Sequence, residues 1–244
     1  MQSYGATLGG LKCRIVDSSA ETTPELAVVL CHGFGAPGTD LVGLAPELFH
    51  IAPELAGRVR FVFPAAPLAP GDLALYGGLA WWELDINRLV MAIERGEMRL
   101  LRDEIPAGLA AAREQFTRLL DDLRQQTGLP GSRLVLGGFS QGAMLATDVA
   151  LRLPEAPAGL CIFSGTLLAE AEWGPLARQR GPLRVFQSHG REDQILPFVA
   201  AEWLRDLLVE SGMEVDFLPF RGGHQIPVDA LERCAAMLVR ALEA

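Results

Sequence analysis

Short apolar runs alternate with longer amphipathic segments along the chain. The runs are rich in branched side chains, as strands buried on both faces should be. They span residues 11–16, 26–31, 60–63, 134–136, 159–163, 184–187 and 215–218. Between them, residues 107–126, 198–211 and 228–243 repeat apolar side chains at helical spacing. Strands that alternate with helices predict an α/β fold, in which a mainly parallel central sheet carries helices on both faces.

The chain reads as one folding unit. Its 244 residues are enough to bury a large core. The sequence contains no internal repeat and no linker-like stretch rich in proline, glycine or serine. We therefore expect a single domain over residues 1–244.

Charge and hydropathy narrow the class of protein. Half of the residues are apolar and 21% are charged, and the net charge is −9. Because no basic stretch offsets that charge, we expect no nucleic-acid partner and no electrostatic docking on an anionic membrane. No apolar run reaches the length of a membrane span, so stable membrane insertion is not expected either.

Two further features favour a cytoplasmic protein. The N-terminus lacks the basic region and apolar core of a signal peptide. The four cysteines are scattered and show no metal-ligand spacing. We interpret them as buried, reduced thiols, which fits a reducing compartment.

Residues 138–142 carry the strongest chemical motif. They read G-x-S-x-G around Ser140, with a strand-like run before them and a helix-like run after them. This pattern is typical of a nucleophile elbow, where a serine sits on a strained strand-to-helix turn. A chance match in a chain with 26 glycines is the alternative. The flanking strand and helix favour the elbow.

A serine hydroxyl needs a base to accept its proton and an acid to orient that base. On a nucleophile elbow the expected chain order is serine, acid, histidine. The four histidines are His32, His50, His189 and His224. Only the last two follow Ser140, and His224 directly follows the last predicted strand. That loop lies at the carboxyl edge of the sheet, so we predict His224 as the base.

The acid should lie between Ser140 and His224, at another strand end. The loop after residues 184–187 contains both Glu192 and Asp193, and spacing alone leaves the choice between them open. His189 precedes both acids, and we expect it to shape this loop. Three other acids fall in helix-like patterns and are expected to face solvent, namely Asp148, Glu202 and Asp206.

The oxyanion of a tetrahedral intermediate needs backbone N–H donors. We predict the amide of Gln141, which follows the nucleophile, as one donor. The second should come from the glycine-rich loop at residues 31–35, where the amide of Phe34 is the candidate. A plain glycine-rich turn is the alternative, and no phosphate-binding motif is present.

Six short motifs follow one another from about residue 26 to the C-terminus. They are H-G-F-G-A from His32 with Asp40 downstream, F-P-A-A-P from Phe63, Gly77-Gly78 with Trp82 and Asp85-Ile86, G-G-F-S-Q-G at 137–142, H-G-x-x-D from His189 with Pro197, and Gly223-His224. In this order they resemble the phospholipase/carboxylesterase family of α/β-hydrolases, which includes the acyl-protein thioesterases.

The resemblance implies an α/β-hydrolase fold and a specific site. Its H-G-x-x-D motif places the acid on Asp193, and its oxyanion donors correspond to Phe34 and Gln141. The implied activity is hydrolysis of a carboxylic ester or thioester, of carboxylesterase, lysophospholipase or acyl-thioesterase type. It would pass through an acyl-enzyme on Ser140 with neither a metal nor an organic cofactor. The implied partner is a small-molecule or lipid acyl substrate, bound by a monomer or homodimer.

One segment departs from the family pattern. Residues 87–104 look longer and more helical than the usual family loop, which makes about 80–106 a candidate cap or lid over the site. A plain surface helix is the alternative, with Leu89, Met91, Ile93, Met98 and Leu100 packed on the core. Phe34, Trp81 and Trp82 are candidates for an acyl-binding wall.

Other functions fit the same scaffold. A serine peptidase and a dienelactone-type hydrolase are two of them, although the latter usually carries a cysteine where Ser140 stands. A binding protein that has lost catalysis is a third. Such proteins commonly lack part of the triad, whereas this sequence offers a candidate for every part.

Overall fold

A computed structural model describes residues 1–21, 23–97, 99 and 102–244 of the chain. The strands of the described residues form one eight-stranded sheet. They are β1 (Gln2–Leu8), β2 (Leu11–Asp17), β3 (Leu26–Cys31), β4 (Val59–Pro64), β5 (Leu134–Phe139), β6 (Gly159–Phe163), β7 (Arg184–Gly190) and β8 (Glu214–Phe220). Met98 and Leu100, two of the core contacts expected if residues 87–104 form a plain surface helix, lie outside the described residues.

The sheet has the order β1-β2-β4-β3-β5-β6-β7-β8. All neighbours from β4 to β8 run parallel, whereas β1 and β2 add an antiparallel edge. This confirms the predicted mainly parallel sheet. The sequence pattern missed β1 because that strand is mostly polar and interrupted by Gly5, as an exposed edge strand can be.

The helices whose bounds the described residues define pack mainly on the two faces of the sheet. They are α1 (Leu44–Ile51), α2 (Ile86–Glu94), α3 (Leu109–Thr127), α4 (Gln141–Arg152), α5 (Glu170–Arg180), α6 (Phe198–Glu210) and α7 (Val228–Glu243). The predicted helices correspond to α3, α4, α6 and α7. Helix α5 gave no signal because it lacks apolar periodicity and contains Pro175. Within the described ranges, no helix is both long enough and apolar enough to cross a bilayer.

The core lies on both sides of the sheet. Alternate β3 side chains enter two separate clusters, with Val28 and Leu30 packing against α1 and α7. Val29 and Cys31 point to the opposite face, where α3, α4, α5 and α6 pack. All of β3 is buried as a result, which explains its unbroken apolar run. The four cysteines are buried and free, as the sequence predicted.

Asp148 corrects one sequence expectation. It was expected to face solvent, but its side chain on α4 is fully buried. Its carboxylate pairs with Arg113 of α3 at 2.5 Å and with Arg152 at 3.2 Å, and it accepts the Trp173 indole N–H at 2.9 Å. Helix α4 is packed between α3 and α5, so a buried charge is tolerated because neighbouring helices supply its partners.

Candidate active site

Ser140 occupies a strained turn between β5 and α4. Its backbone has φ 53° and ψ −119°, a conformation that side-chain-bearing residues rarely adopt. The Ser140 amide donates to the carbonyl of Phe163 on β6 at 2.9 Å. A Cβ at Gly142 would overlap the carbonyl oxygens of Cys31 and His32. Glycine is therefore required there, because α4 begins directly against the end of β3.

The structure brings His224 and Asp193 together. The Nδ1 atom of His224 lies 2.7 Å from the Asp193 Oδ2 atom. Because a carboxylate can only accept, Nδ1 carries the proton and Nε2 keeps its lone pair. Glu192, which spacing left as an alternative acid, is exposed and faces Arg221 at 3.4 Å instead.

Asp193 is held as a buried carboxylate. Its Oδ1 atom accepts the backbone N–H groups of Ile195 and Leu196, both at 2.9 Å. Burial acts to raise the pKa of this carboxyl group, but the hydrogen bonds from His224 and from the two amides outweigh burial. The pKa of Asp193 consequently lies below its ordinary value. The group is therefore ionised at neutral pH.

Two loops that are distant in sequence are joined to form this pair. The amide of Arg191 donates to the Phe220 carbonyl at 2.9 Å, and the amide of Glu192 donates to the Gly222 carbonyl at 3.0 Å. A Cβ at Gly190 would overlap the carbonyls of Gly222 and Gly223. Glycine at 190 thus lets the loop after β7 approach the loop after β8.

The loop after β3 is fixed by the His32 side chain. Its Nε2 atom accepts the Ala66 amide at 3.0 Å, so Nδ1 carries the proton and donates to the Gly33 carbonyl at 2.8 Å. Burial lowers the pKa of His32, in keeping with a neutral ring. The next residue in this loop, Phe34, lines the same cavity as Ser140.

Gln141 has a contact that sequence reasoning missed. Its side chain is buried, with Oε1 accepting the Trp81 amide and Nε2 donating to the Trp82 carbonyl, both at 2.9 Å. The amide side chain thereby joins the start of α4 to the segment that leads into α2. No periodicity could reveal this contact, because the partners are about 60 residues apart in the chain.

The two tryptophans point to different places. Phe34 and Trp82, two of the three candidates for an acyl-binding wall, line the cavity beside Ser140. Trp81, the third candidate, lies in the core instead, with its indole N–H bonded to the His32 carbonyl at 2.9 Å. Its ring packs near Phe116 of α3, with centroids 6.5 Å apart. Neighbouring residues in an extended segment face opposite ways.

A cavity of about 590 Å³ lies above Ser140 and His224. This volume is in the range of small-molecule sites. Most of its lining side chains are apolar. From the body of the protein these include Phe139, Met144, Leu167, Leu168, Leu196 and Trp203, and from α2 they are Leu89, Val90 and Ile93.

Helix α2 forms a roof over this cavity. Asp85 caps its N-terminus by accepting the Arg88 amide at 2.9 Å. Met91, a core contact in the surface-helix alternative, is 45% exposed. Ala92 is buried, while Val90 is 46% exposed even though it also borders the cavity. The side chains of α2 are thus divided between the cavity and solvent.

The segment after α2 is tied to the body of the protein by Arg102. Its guanidinium pairs with Glu170 at 2.5 Å and lies 5.5 Å from the centre of the Trp203 ring. Its carbonyl accepts the Glu170 amide at 2.9 Å. Within the cap, Arg88 pairs with Glu104 at 2.6 Å.

Comparison with known proteins places the chain in a family. The model of the phospholipase/carboxylesterase family matches residues 12–240. The chain belongs to this family. Membership in the phospholipase/carboxylesterase family supports an ester or thioester hydrolase, and it agrees with the motifs found in the sequence.

Curated relatives align with most of this chain. Acyl-protein thioesterase 1 of Neurospora crassa is 28% identical over 222 residues, which is 88% of this chain and 86% of the relative. Acyl-protein thioesterase 1 homolog 1 of Dictyostelium discoideum is 27% identical over 227 residues, with 91% and 92% covered.

Solved structures of similar proteins show the same fold. Esterase PE8 superimposes with a TM-score of 0.78 at 28% identity, covering 99% of this chain and all of the other. A carboxylesterase from Mesorhizobium loti has a TM-score of 0.74 at 20% identity, with 98% and 99% covered, which speaks for the fold alone. This member of the phospholipase/carboxylesterase family therefore has the α/β-hydrolase fold.

Proposed function

We propose that the protein is a serine hydrolase that cleaves carboxylic esters or thioesters through an acyl-enzyme on Ser140. The observation that carries the proposal is the strained Ser140 turn, which borders the same cavity as His224. The imidazole of His224 is in turn hydrogen-bonded to buried Asp193 at 2.7 Å. A strained serine, a base and an orienting acid are what nucleophilic acyl transfer requires.

In the first step, the Nε2 atom of His224 accepts the Ser140 hydroxyl proton while Oγ attacks the substrate carbonyl carbon. An Oγ–C bond forms, and the carbonyl π electrons move to the oxygen. Asp193 keeps the proton of the neutral imidazole on Nδ1 and stabilises the imidazolium that results.

The negative oxygen needs stabilisation, which the backbone amides of Phe34 and Gln141 supply in this proposal. Each such donor contributes roughly 3–4 kcal/mol to the transition state. The positive end of the α4 dipole, directly after Ser140, adds to the same effect.

The tetrahedral intermediate then collapses. The imidazolium of His224 protonates the leaving alcohol or thiol, whose bond to the acyl carbon breaks. Water then enters, gives a proton to His224 and forms a bond to the acyl carbon. As this second intermediate collapses, the Oγ–C bond breaks and His224 returns the proton to Oγ, which releases the carboxylic acid and restores Ser140. The proposed reaction calls for neither a metal ion nor an organic cofactor.

The acyl chain of the substrate is placed in the cavity beneath α2. Apolar side chains from α2 and from the body of the protein surround this space, with Trp82 and Phe34 nearest the Ser140 loop. Burial of an acyl chain there is favourable by about 0.8 kcal/mol for each methylene group. A small-molecule or lipid acyl ester or thioester fits this apolar lining. The thioesterase names of the relatives support the inclusion of thioesters.

The competing functions differ from this proposal in specific ways. The family match favours acyl esters over peptide substrates. Ser140 stands where a dienelactone-type hydrolase usually has cysteine. A non-catalytic binding protein commonly lacks part of the triad, whereas Ser140, Asp193 and His224 are all present.

Replacement of Ser140 by alanine tests the proposal directly. We expect Ser140→Ala to lose hydrolysis of short p-nitrophenyl esters and thioesters, and to lose labelling by a fluorophosphonate probe. A rate drop of about 10⁶-fold is typical for loss of a catalytic serine. Circular dichroism should show an unchanged fold.

Ser132→Ala is the matched control for this experiment. Ser132 is exposed and precedes β5, at the opposite edge of the sheet, so activity and labelling should stay at the level of the unmodified protein. Retained hydrolysis in Ser140→Ala, or failure of the probe to label the unmodified protein, would overturn the proposed function.

A further inference from the structure

A second histidine contacts the acid of the proposed triad. His189, near the end of β7, is fully buried. Its Nε2 atom lies 2.8 Å from the Leu196 carbonyl oxygen and 3.3 Å from the Oδ2 atom of Asp193. The proposed mechanism uses His224 alone as a base, so His189 has no role in it.

The surroundings of His189 determine where its proton lies. A carbonyl oxygen and an ionised carboxylate are both acceptors, so Nε2 must be the N–H side of the ring. Burial lowers the pKa of His189, which keeps the ring neutral. The ring is therefore a fixed donor to the Leu196 carbonyl, and its N–H edge also lies against the Oδ2 atom of Asp193.

The N–H edge of His189 also faces the Asp193 carboxylate. An ionised carboxylate offers about four acceptor sites. Oδ1 accepts the amides of Ile195 and Leu196, while Oδ2 accepts His224 and faces His189. Removal of the His189 donor would leave the Leu196 carbonyl without this partner, next to the amide that binds Oδ1, and would remove a favourable contact from the buried carboxylate.

We propose that His189 positions the Asp193 carboxylate, through Leu196 and through the N–H edge beside Oδ2, so that Asp193 holds the His224 imidazole in the orientation in which Nε2 acts as a base. The inference rests on the proposed function, because it assigns His189 to the same triad. His189 acts through Asp193 and is a positioning residue. It shares the Oδ2 atom that binds His224, so it limits how strongly that atom stabilises an imidazolium.

Three further charged side chains lie near this cluster. They are Arg191, Glu192 and Arg221. Arg191 lies 4.8 Å from the centre of the Phe198 ring, and the edge of that ring packs against His189. Glu192 and Arg221 form an exposed pair that solvent screens. Loss of the His189 N–H is therefore the main electrostatic change in a His189 variant.

Three substitutions at His189 distinguish the effect of its N–H donor from that of its ring. His189→Phe keeps a ring against Phe198 but has no donor, and His189→Asn has an amide too short to reach Oδ2. His189→Gln can place an amide N–H close to the original Nε2 position. We expect kcat/KM on a p-nitrophenyl ester to fall roughly 10- to 100-fold in the Phe and Asn variants. We expect the Gln variant to recover most of that loss.

The pH dependence distinguishes positioning from simple structural support. Without the His189 donor, Asp193 stabilises the protonated form of His224 more strongly. The acid limb of the kcat/KM profile should then move to higher pH by about half to one unit in the Phe and Asn variants. In His189→Gln it should stay near its original position.

Gln187→Met is the matched control. Gln187 is also buried on β7, two residues earlier, and donates to the Ala201 carbonyl on α6 at 2.9 Å. The substitution should lower stability with no movement of the acid limb. An unmoved limb in both His189→Phe and His189→Asn, or an equal movement in Gln187→Met, would overturn the inference.

Ser140→Ala measured beside these variants separates the two proposals. If Ser140→Ala is inactive and the His189 variants leave the limb unmoved, then only the role of His189 fails. If Ser140→Ala stays active, the proposed function itself fails.

Discussion

The floor of the cavity and its roof are built in different ways. At the floor, Asp193 and His224 lie at the ends of neighbouring parallel strands, and backbone hydrogen bonds join their loops. The roof is α2 with the segment that follows it, where Met91 and Ile105 are about half exposed. The difference suggests that the chemistry is held rigidly and that substrate selection resides in a less constrained part.

One ion pair within the roof is weak. Arg88 and Glu104, which link α2 to the segment after it, are both substantially exposed. Such surface ion pairs contribute about 0–1 kcal/mol. The buried carboxylate of Asp193, by contrast, accepts three hydrogen bonds at 2.7–2.9 Å. Substitutions in the floor should therefore affect the rate, and those in the roof should affect substrate preference.

The largest effect after loss of Ser140 should come from the acid. Asp193→Asn cannot accept and hold the His224 N–H in the same way, so kcat/KM should fall by about 10⁴-fold. Glu192→Gln, which changes the exposed neighbouring acid, should stay near the activity of the unmodified protein. A greater loss from Glu192→Gln would show that Glu192, and not Asp193, is the acid.

Asp193→Asn should also change the pH dependence of stability. The pKa of Asp193 is lowered in the folded state, so its ionised form stabilises the fold above its ordinary pKa. That contribution disappears as the pH falls through the lowered pKa. In Asp193→Asn, the melting temperature should lack the part of its fall from neutral to acid pH that comes from protonation of Asp193. This measurement is independent of activity.

An intermediate effect on stability and on kcat/KM is expected from Gln141, whose side chain joins the start of α4 to the segment that leads into the roof. Gln141→Met keeps the backbone amide and a similar side-chain size, but it leaves the Trp81 amide and the Trp82 carbonyl without their partners. Each such buried group costs about 1–3 kcal/mol, which urea denaturation would detect. We also expect kcat/KM to fall by about 10-fold, because the first turn of α4 carries the amide that we propose as an oxyanion donor. Unchanged stability and unchanged kcat/KM would contradict a structural role for the side chain.

The smallest effect on rate, and the clearest on selectivity, should come from α2. Ile93→Trp adds volume to the cavity roof, so the ratio of kcat/KM for octanoyl over acetyl p-nitrophenyl esters should fall by about 10-fold. Met91→Trp, at an exposed position of the same helix, is the control and should leave the ratio unchanged. An equal ratio in both variants would place the acyl chain elsewhere.

Much of the fold was predictable because its signals are local. An unbroken apolar run such as Leu26–Cys31 indicates a strand buried on both faces, and this is what β3 is. The helix over Val228–Glu243 was predicted at its observed bounds because its apolar face is strongly periodic. The edge strand β1 and helix α5 escaped prediction because neither has such a pattern.

Only part of the candidate site was predictable from local signals. The order of residue types along the chain predicted Ser140 as the nucleophile and His224 as the base, because a strand-to-helix turn and a histidine after the last strand are local features of the sequence. The choice of Asp193 over Glu192 needed the family resemblance in the sequence, and the 2.7 Å contact with His224 agrees with it.

Only the tertiary structure decided which buried polar groups meet. No sequence pattern predicted these contacts. They are the hydrogen bonds of the Gln141 side chain to the Trp81–Trp82 backbone, the burial of Asp148 among arginines, and the contact of His189 with Asp193. Such contacts depend on the directions in which packed side chains point. Those directions are set by how strands and helices distant in sequence come together, which local propensity and periodicity do not encode.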